Sequence, residues 1–273
     1  MNITQNIGIR ICGTGSSVPA KTVTNDDMAT IVETNDEWIR TRTGISERHF
    51  ADQETNLSLG ASAAEKALEM AGISKAEIGV VICATITPDN IVPSQACLLQ
   101  KELGLPEQIL AFDMCAACTG FLYAMHTARS LLCTMPEKKY ALVVASEVLS
   151  RVTNFADRNT CVLFGDGAGA AVITLDENSR YAFDCGAQGD TEVLYCPKSY
   201  CDTNPFAEQH PEAPQQFVHM EGRAVYSFAV HALSGSIQRV AEQVGGYPQH
   251  YVCHQANARI LQAAAKQLGE PMD

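Results

Sequence analysis

The residues with the most chemical promise lie in the run Asp113-Met114-Cys115-Ala116-Ala117-Cys118-Thr119-Gly120-Phe121. The apolar stretch 109–114 predicts a strand running into it, and 118–133 predicts a helix running out. A thiol at such a turn meets helix amide N–H groups and the positive end of the helix dipole, and both favour the thiolate. The small residues Ala116, Ala117 and Gly120 leave room for a substrate and for close backbone approach. Against this stands the ordinary reading of a buried cysteine at a helix start. Cys115 and Cys118 also have C-x-x-C spacing, so a redox couple stays open, while no second pair follows at zinc-finger spacing.

A second constellation is His254-Gln255-Ala256-Asn257, directly after Tyr251-Val252-Cys253. The apolar triplet predicts a short strand and 256–268 a helix closed by Gly269, which would present the His254 ring at a strand end as an acid, base or hydrogen-bond donor. A lone histidine is also read as structural, but a Cys and a His in such settings are the usual parts of nucleophilic catalysis. A third run, Phe164 to Ala170, holds three glycines but lacks the Lys-Ser/Thr of a P-loop and precedes a strand, so it predicts a tight turn of closely packed small residues. A fourth, Thr34 to Ile45, holds the only tryptophan, Trp38, with Arg40 and Arg42 close behind. It reads equally well as a nucleotide face with phosphate partners or as a surface helix anchored by its Trp.

The elements that must position these groups alternate. Strands are predicted at 7–12, 80–85, 109–114, 140–146 and 168–175, and helices at 56–71 (stopped by Gly72), 93–103 (Pro first) and 118–133. Continuous apolar strands between helices imply a sheet covered on both faces, hence an α/β protein. Further on, 197–214 reads as an exposed loop and 222–244 as a long amphipathic helix closed by Gly245-Gly246. With 273 residues and 46% hydrophobic composition, the chain can bury one large or two small cores. Its 11 cysteines, an odd number often set in apolar runs, suit a reducing compartment, and we expect the cytoplasm. The N-terminus has no basic region ahead of a long apolar block, so no signal peptide is expected, and no apolar run reaches membrane-spanning length. A net charge of -12 argues against non-specific nucleic-acid binding.

In this order, Asp36-Glu37-Trp38-Ile39 with Arg42-Thr43-Gly44-Ile45, then Ala116 to Phe121, then Phe164 to Ala170, then His254 to Asn257, the motifs resemble those of the β-ketoacyl-acyl carrier protein synthase III family of the thiolase-like fold. The resemblance runs from about Ile7 to Met272. It implies two related α/β halves in a layered αβαβα arrangement, 1–175 carrying the nucleophilic Cys118 and 176–273 a partial, truncated half carrying His254. It implies a decarboxylating Claisen condensation of an acyl-coenzyme A primer, such as acetyl-CoA, with malonyl-acyl carrier protein, which opens type II fatty acid synthesis. Coenzyme A would then be part of a substrate, with no resident cofactor and no metal. Trp38 and Arg158 match the residues that stack on adenine, and Thr34 and Arg42 match others near the nucleotide. Arg223 and Arg259, with Lys266, would offer a local basic patch to an acidic carrier protein. A homodimer is implied too, with primer choice set by pocket walls around 85–92 and by the dimer partner.

The family's third catalytic residue, an Asn in a Gly-Asn-Thr motif downstream of the His motif, has no match before Asp273, nor has the late glycine-rich loop. This keeps two other readings open: a related condensing enzyme of secondary metabolism, or a catalytically impaired fragment that only binds acyl-CoA or a partner.

Overall fold

The computed structural model describes residues 7–197 and 217–272. All but the first residue of the loop expected at 197–214 lies outside them.

The chain opens with β1 (Gly8–Ser17). A short antiparallel pair, β2 (Thr22–Thr24) and β3 (Glu47–His49), then brackets α1 (Asn25–Ala29) and α2 (Asp36–Thr43). There follow α3 (Asn56–Ala71), β4 (Ile78–Ala84), α4 (Gln95–Glu102), β5 (Leu110–Met114), α5 (Gly120–Leu132), β6 (Tyr140–Val148), α6 (Arg158–Cys161) and β7 (Asp166–Asp176). Five strands form one sheet in the order β1-β7-β6-β4-β5, with β4 parallel to both β5 and β6 and the other pairs antiparallel.

Period-two alternation sorts the sheet's side chains between two cores. Val81, Cys83, Leu142, Val144, Ala170 and Val172 face one side, where α3 and α4 cover them. Val80, Ile82, Ala141, Val143, Ala171 and Ile173 face the other, against Ala124, Met125, Ala128 and Leu132 of α5. Helix α3 sits unusually close to β1: a Cβ on Gly13 would stand 2.2 Å from the Ala67 carbonyl oxygen, and one on Gly15 2.1 Å from that of Ala63. Its ends are set as its sequence suggests, by a Thr55 cap that accepts from Ser58 N–H and by left-handed Gly72. A third small core, Met28, Ile39, Cys161 and Val162 with Trp38 against it, joins α1 and α2 to the α6 region. Buried Arg48 pins this module, bonding the Val23 and Val162 carbonyls and Asn25 Oδ1.

The second part of the chain is different. Among the described residues it holds only a two-stranded pair, β8 (Leu194–Tyr195) with β9 (His219–Met220), and two helices packed on each other, α7 (Gly222–Val244) and α8 (Ala258–Leu268). A bidentate pair, Arg239 with Asp184 at 2.8 Å and 2.8 Å, ties α7 to a strap over 180–186. That strap lies on α5 through Phe183 stacked on His126 and Tyr123 Oη donating to the Gly186 carbonyl.

Four local expectations are corrected. Pro93 does not begin α4; Ser94 caps that helix, accepting from Cys97 N–H. The helix after Cys118 starts at Gly120, and Cys118 stands in a 3-10 turn, Ala117–Thr119. The Phe164–Ala170 run is no turn from Asp166 onward: Gly167 and Gly169 lie in the ladder of β7, paired with Glu147 and Ala145 of β6. Tyr251–Cys253 forms no strand, because no strand among the described residues pairs with it, and an unpaired apolar triplet has no ladder to hold it extended.

Candidate active site

Strands β4, β5 and β6 run parallel, and their C-terminal ends converge on Ala84, Met114 and Val148. In open α/β sheets this edge is where ligands bind. Thr85 N–H donates to the Met114 carbonyl at 3.2 Å, joining the exits of β4 and β5. Four residues after Met114 comes Cys118. Ala117 just before it has φ 43°, a left-handed conformation in a residue with a Cβ, which stores strain of about 1–3 kcal/mol. Such a turn throws the next side chain out of the line of the strand, and Cys118 is exposed. Gly120 is required behind it, since a Cβ there would come within 3.1 Å of Ala84 Cβ.

The electrostatics qualify the expectation of a resting thiolate. Desolvation by surrounding atoms pushes the Cys118 thiol above its ordinary value, its own backbone N–H opposes this, and the Glu147 carboxylate pushes it further up. The short turn orients the thiol, and the crowding of atoms around its sulfur outweighs the backbone N–H, so the pKa lies above its ordinary value even though the residue reaches the surface. Cys115 is exposed as well, and it makes no hydrogen bond with Cys118 among the described residues.

His254 lies in the coil between α7 and α8. Desolvation lowers its pKa from the ordinary value near 6.5. The imidazole is therefore neutral at pH 7, able to donate through one ring nitrogen and accept through the other. No hydrogen bond joins it to Cys118, and it is not among the groups that shift that thiol.

The four residues expected at the nucleotide do come together. Trp38 on α2 has the Arg42 guanidinium 4.6 Å and the Arg158 guanidinium 4.9 Å from its ring centre. Arg158 donates to the Glu33 carbonyl at 2.9 Å, next to Thr34. The Thr34 hydroxyl is buried without a hydrogen-bond partner, an unmet polar group at the foot of this cluster. An aromatic face with two cations and an unpartnered hydroxyl beneath it suits a purine with phosphates.

The basic residues divide. Arg259, on the first turn of α8, donates to the Thr41 carbonyl at 3.2 Å and so stands beside the nucleotide cluster. Arg223, on the first turn of α7, is exposed and makes no ion pair among the described residues. No contact brings the two together.

Several residues of this site escaped the sequence reading. Glu147, next to last in β6, accepts from the Thr85 hydroxyl, the Ile86 and Thr87 amides and the Thr87 hydroxyl. Its signal was a lone carboxylate at the end of an otherwise apolar strand. Asn56 reaches the same turn from α3, and Asp166 fastens Ala51 and Ser150 to β7. Ala117 carried no signal at all, since alanine does not advertise a positive φ.

A family model described as 3-oxoacyl-[acyl-carrier-protein (ACP)] synthase III matches residues 112–189, the stretch that holds Cys118 and β7. A β-ketoacyl-[acyl-carrier-protein] synthase III of Clostridium acetobutylicum is 45% identical over 270 residues, covering 97% of this chain and 82% of that protein. The crystal structure of 3-oxoacyl-(acyl carrier protein) synthase III from Pseudomonas aeruginosa PAO1 superposes with a TM-score of 0.87 at 36% identity, covering 96% of this chain and 81% of that one. The priming β-ketosynthase of the R1128 polyketide biosynthetic pathway gives 0.83 at 31% identity, covering 98% of this chain and 80% of that one. Identity of this extent along nearly the whole chain, on the fold just described, leaves one conclusion: the chain belongs to the β-ketoacyl-[acyl-carrier-protein] synthase III family, with the thiolase-like fold.

Proposed function

We propose that this acyltransferase uses Cys118 as its acyl acceptor, and that the single observation carrying this reading is the strained Ala117–Cys118 turn at the C-terminal edge of three parallel strands. The chain is a β-ketoacyl-ACP synthase III type condensing enzyme, and it initiates fatty acid synthesis. In the first half-reaction the Cys118 sulfur attacks the thioester carbonyl of an acyl-CoA primer such as acetyl-CoA. The carbonyl carbon's bond to the CoA sulfur breaks, the thiol proton passes to the leaving sulfur, and an acyl-Cys118 thioester remains. In the second, malonyl on acyl carrier protein loses its carboxylate as CO2, and the electron pair left behind attacks the acyl carbon. A carbon–carbon bond forms, the bond to Cys118 breaks, and the thiol regains a proton. Negative charge gathers on the malonyl thioester oxygen as CO2 leaves. His254, neutral and able to donate, is the residue of this chain suited to meet it.

Trp38, Arg42, Arg158 and Thr34 would hold the CoA nucleotide, and Arg259 with Arg223 the acidic carrier protein. Coenzyme A enters and leaves as part of the substrate, and no resident cofactor or metal is needed for these steps. The sheet's five strands fall within 8–176, which supports a division of the chain near 175/176. A homodimer built along the β5 edge is supported by the open edge of β5 and by exposed Ile91, Val92 and Leu122. No helix among the described residues is long and apolar enough to cross a membrane. A cytoplasmic location, with neither membrane nor nucleic acid as partner, fits the acidic net charge of -12 and the many unpaired cysteines.

The test is intact mass and peptide mapping after incubation with acetyl-CoA, followed by malonyl-acyl carrier protein. Acetyl on Cys118 and a β-ketoacyl product are expected. Acetyl on another residue, or none on a folded sample, would sink the assignment. Likeness to a polyketide priming synthase supports a second reading, a condensing enzyme of secondary metabolism using the same Cys118 and His254. Competition between acetyl-CoA and longer acyl-CoA primers separates the two.

A further inference from the structure

Condensation needs two groups held in register, and this chain puts them on different elements. Cys118 stands just ahead of α5, which begins at Gly120. His254 follows α7 in the chain, and α8 is fastened back to α7 by Ser234 Oγ donating to Gln267 Oε1 at 2.7 Å. No hydrogen bond among the described residues joins the cysteine to the histidine. What runs between α5 and α7 is the strap over 180–186.

The strap's side chains divide by parity, as those of an extended chain do. Tyr181 and Phe183 turn to α5. His126 Nδ1 stands 2.9 Å from Tyr181 Oη, and the His126 ring stacks on Phe183 with 3.9 Å between ring centres. The Arg129 guanidinium covers the Tyr181 ring at 4.2 Å, and Tyr123 Oη donates to the Gly186 carbonyl at 2.9 Å. Tyr123, His126 and Arg129 recur at the three-residue spacing that brings helix side chains together. Desolvation, then the Arg129 charge, lowers the His126 pKa, so the ring that stacks at neutral pH is uncharged. Arg180 and Asp184 turn the other way. Arg180 donates to the Val244 carbonyl at 2.7 Å, and Asp184 takes both bonds from Arg239. Gln243 adds a weaker hold on the Phe183 carbonyl at 3.4 Å.

Two other ties cross between the parts of the chain: Arg259 of α8 to the Thr41 carbonyl, and Val218 N–H to the Val152 carbonyl ahead of β9. Neither touches the last turns of α7, where Arg239, Gln243 and Val244 lie. Those turns feed the coil that carries His254. We propose that His126 is a positioning residue for condensation: through Tyr181 and Phe183 it seats the strap, and the strap's Asp184–Arg239 pair sets the end of α7, and with it His254, relative to Cys118. This rests on Cys118 as acyl acceptor and His254 as the donor to the malonyl thioester oxygen. Acyl transfer to Cys118 calls on neither the strap nor α7, so the two half-reactions respond differently when the strap is cut.

The experiment compares the wild type with His126→Ala, Arg239→Met and the double variant, on samples that melt cooperatively. Acyl transfer from acetyl-CoA to Cys118 is read by intact mass. Condensation of the acetylated enzyme with malonyl-acyl carrier protein is read in a single turnover, and the His254 midpoint by NMR. Either single change should slow condensation by about tenfold, part of the roughly 10^2-fold that a misplacement of about 1 Å can cost, and leave acyl transfer unchanged. The double variant should lose less than the product of the single losses, because both changes cut one link in series. The His254 midpoint should rise toward its ordinary value near 6.5 as the atoms around the ring loosen. Unchanged condensation in Arg239→Met overturns the proposal, whether or not His126→Ala folds. So do equal losses in both half-reactions, and so do single losses that multiply in the double variant. A wild type that takes no acetyl group, or takes it and condenses nothing, overturns the reading of Cys118 and His254 instead. The His254 midpoint then decides the strap's role, and an unchanged midpoint in Arg239→Met overturns it.

Discussion

Cys118 and His254 sit in regions built by different means. Cys118 stands on a turn fastened by three strand ends, a strained Ala117 and a buried polar network. His254 lies in a coil between two helices, two residues from a Val252 that is 98% exposed. The first region draws its geometry from a five-stranded sheet with a core on each face, where Val80, Val81, Ile82 and Cys83 are all fully buried. The second has no such sheet among the described residues, and its helices lean on each other, on Arg259 with Thr41, and on the Asp184–Arg239 pair. Position in the first region is enforced by packing, whereas in the second it depends on a few polar ties.

The largest expected effect separates two cysteines within the first region. Cys118→Ser should cut acyl transfer from acetyl-CoA by roughly 10^4-fold or more, as loss of a nucleophile does, while Cys115→Ser leaves it nearly unchanged. A large loss in Cys115→Ser would revive the redox pair. Next is the contrast in stability. Ile82→Ala should cost about 2–5 kcal/mol in a denaturant titration, and Val252→Ala less than about 0.5 kcal/mol. Equal costs would mean that the His254 region is as tightly packed as the sheet, and the comparison would fail.

His254→Ala should then slow condensation with malonyl-acyl carrier protein by about 10^2–10^3-fold and leave formation of acyl-Cys118 intact. Equal loss in both half-reactions would give the histidine a different role. Trp38→Ala should raise the KM for acetyl-CoA by the loss of about 1–3 kcal/mol of stacking, without altering Cys118 alkylation. The smallest effect is a titration. Because desolvation disfavours the imidazolium, NMR should place the His254 midpoint below the ordinary value of about 6.5. That histidine weakens the folded state only as pH falls through the unfolded value toward its own lower one. A midpoint above 6.5 would show a hidden anionic partner.

The sheet was legible because buried strands are continuous apolar runs, and helix ends because Thr55, Gly72, Gly245 and Gly269 are strong local signals. Tyr251–Cys253 misled for a related reason: an apolar triplet looks like a strand whether or not a partner exists. The glycines of 164–170 look like a turn, yet serve a ladder between β1 and β6.

By itself the sequence determined the α/β class, the helix limits, and Cys118, His254 and Trp38 as candidates, because composition and capping are local and the motifs are contiguous. Only the tertiary structure decided that Arg42 and Arg158 meet over Trp38, that desolvation and Glu147 raise the Cys118 thiol above its ordinary value, and that Glu147 accepts from the Thr85–Thr87 turn. Those facts join residues up to 120 or so positions apart through the sheet, and burial and electrostatic fields arise only once distant segments share the same space.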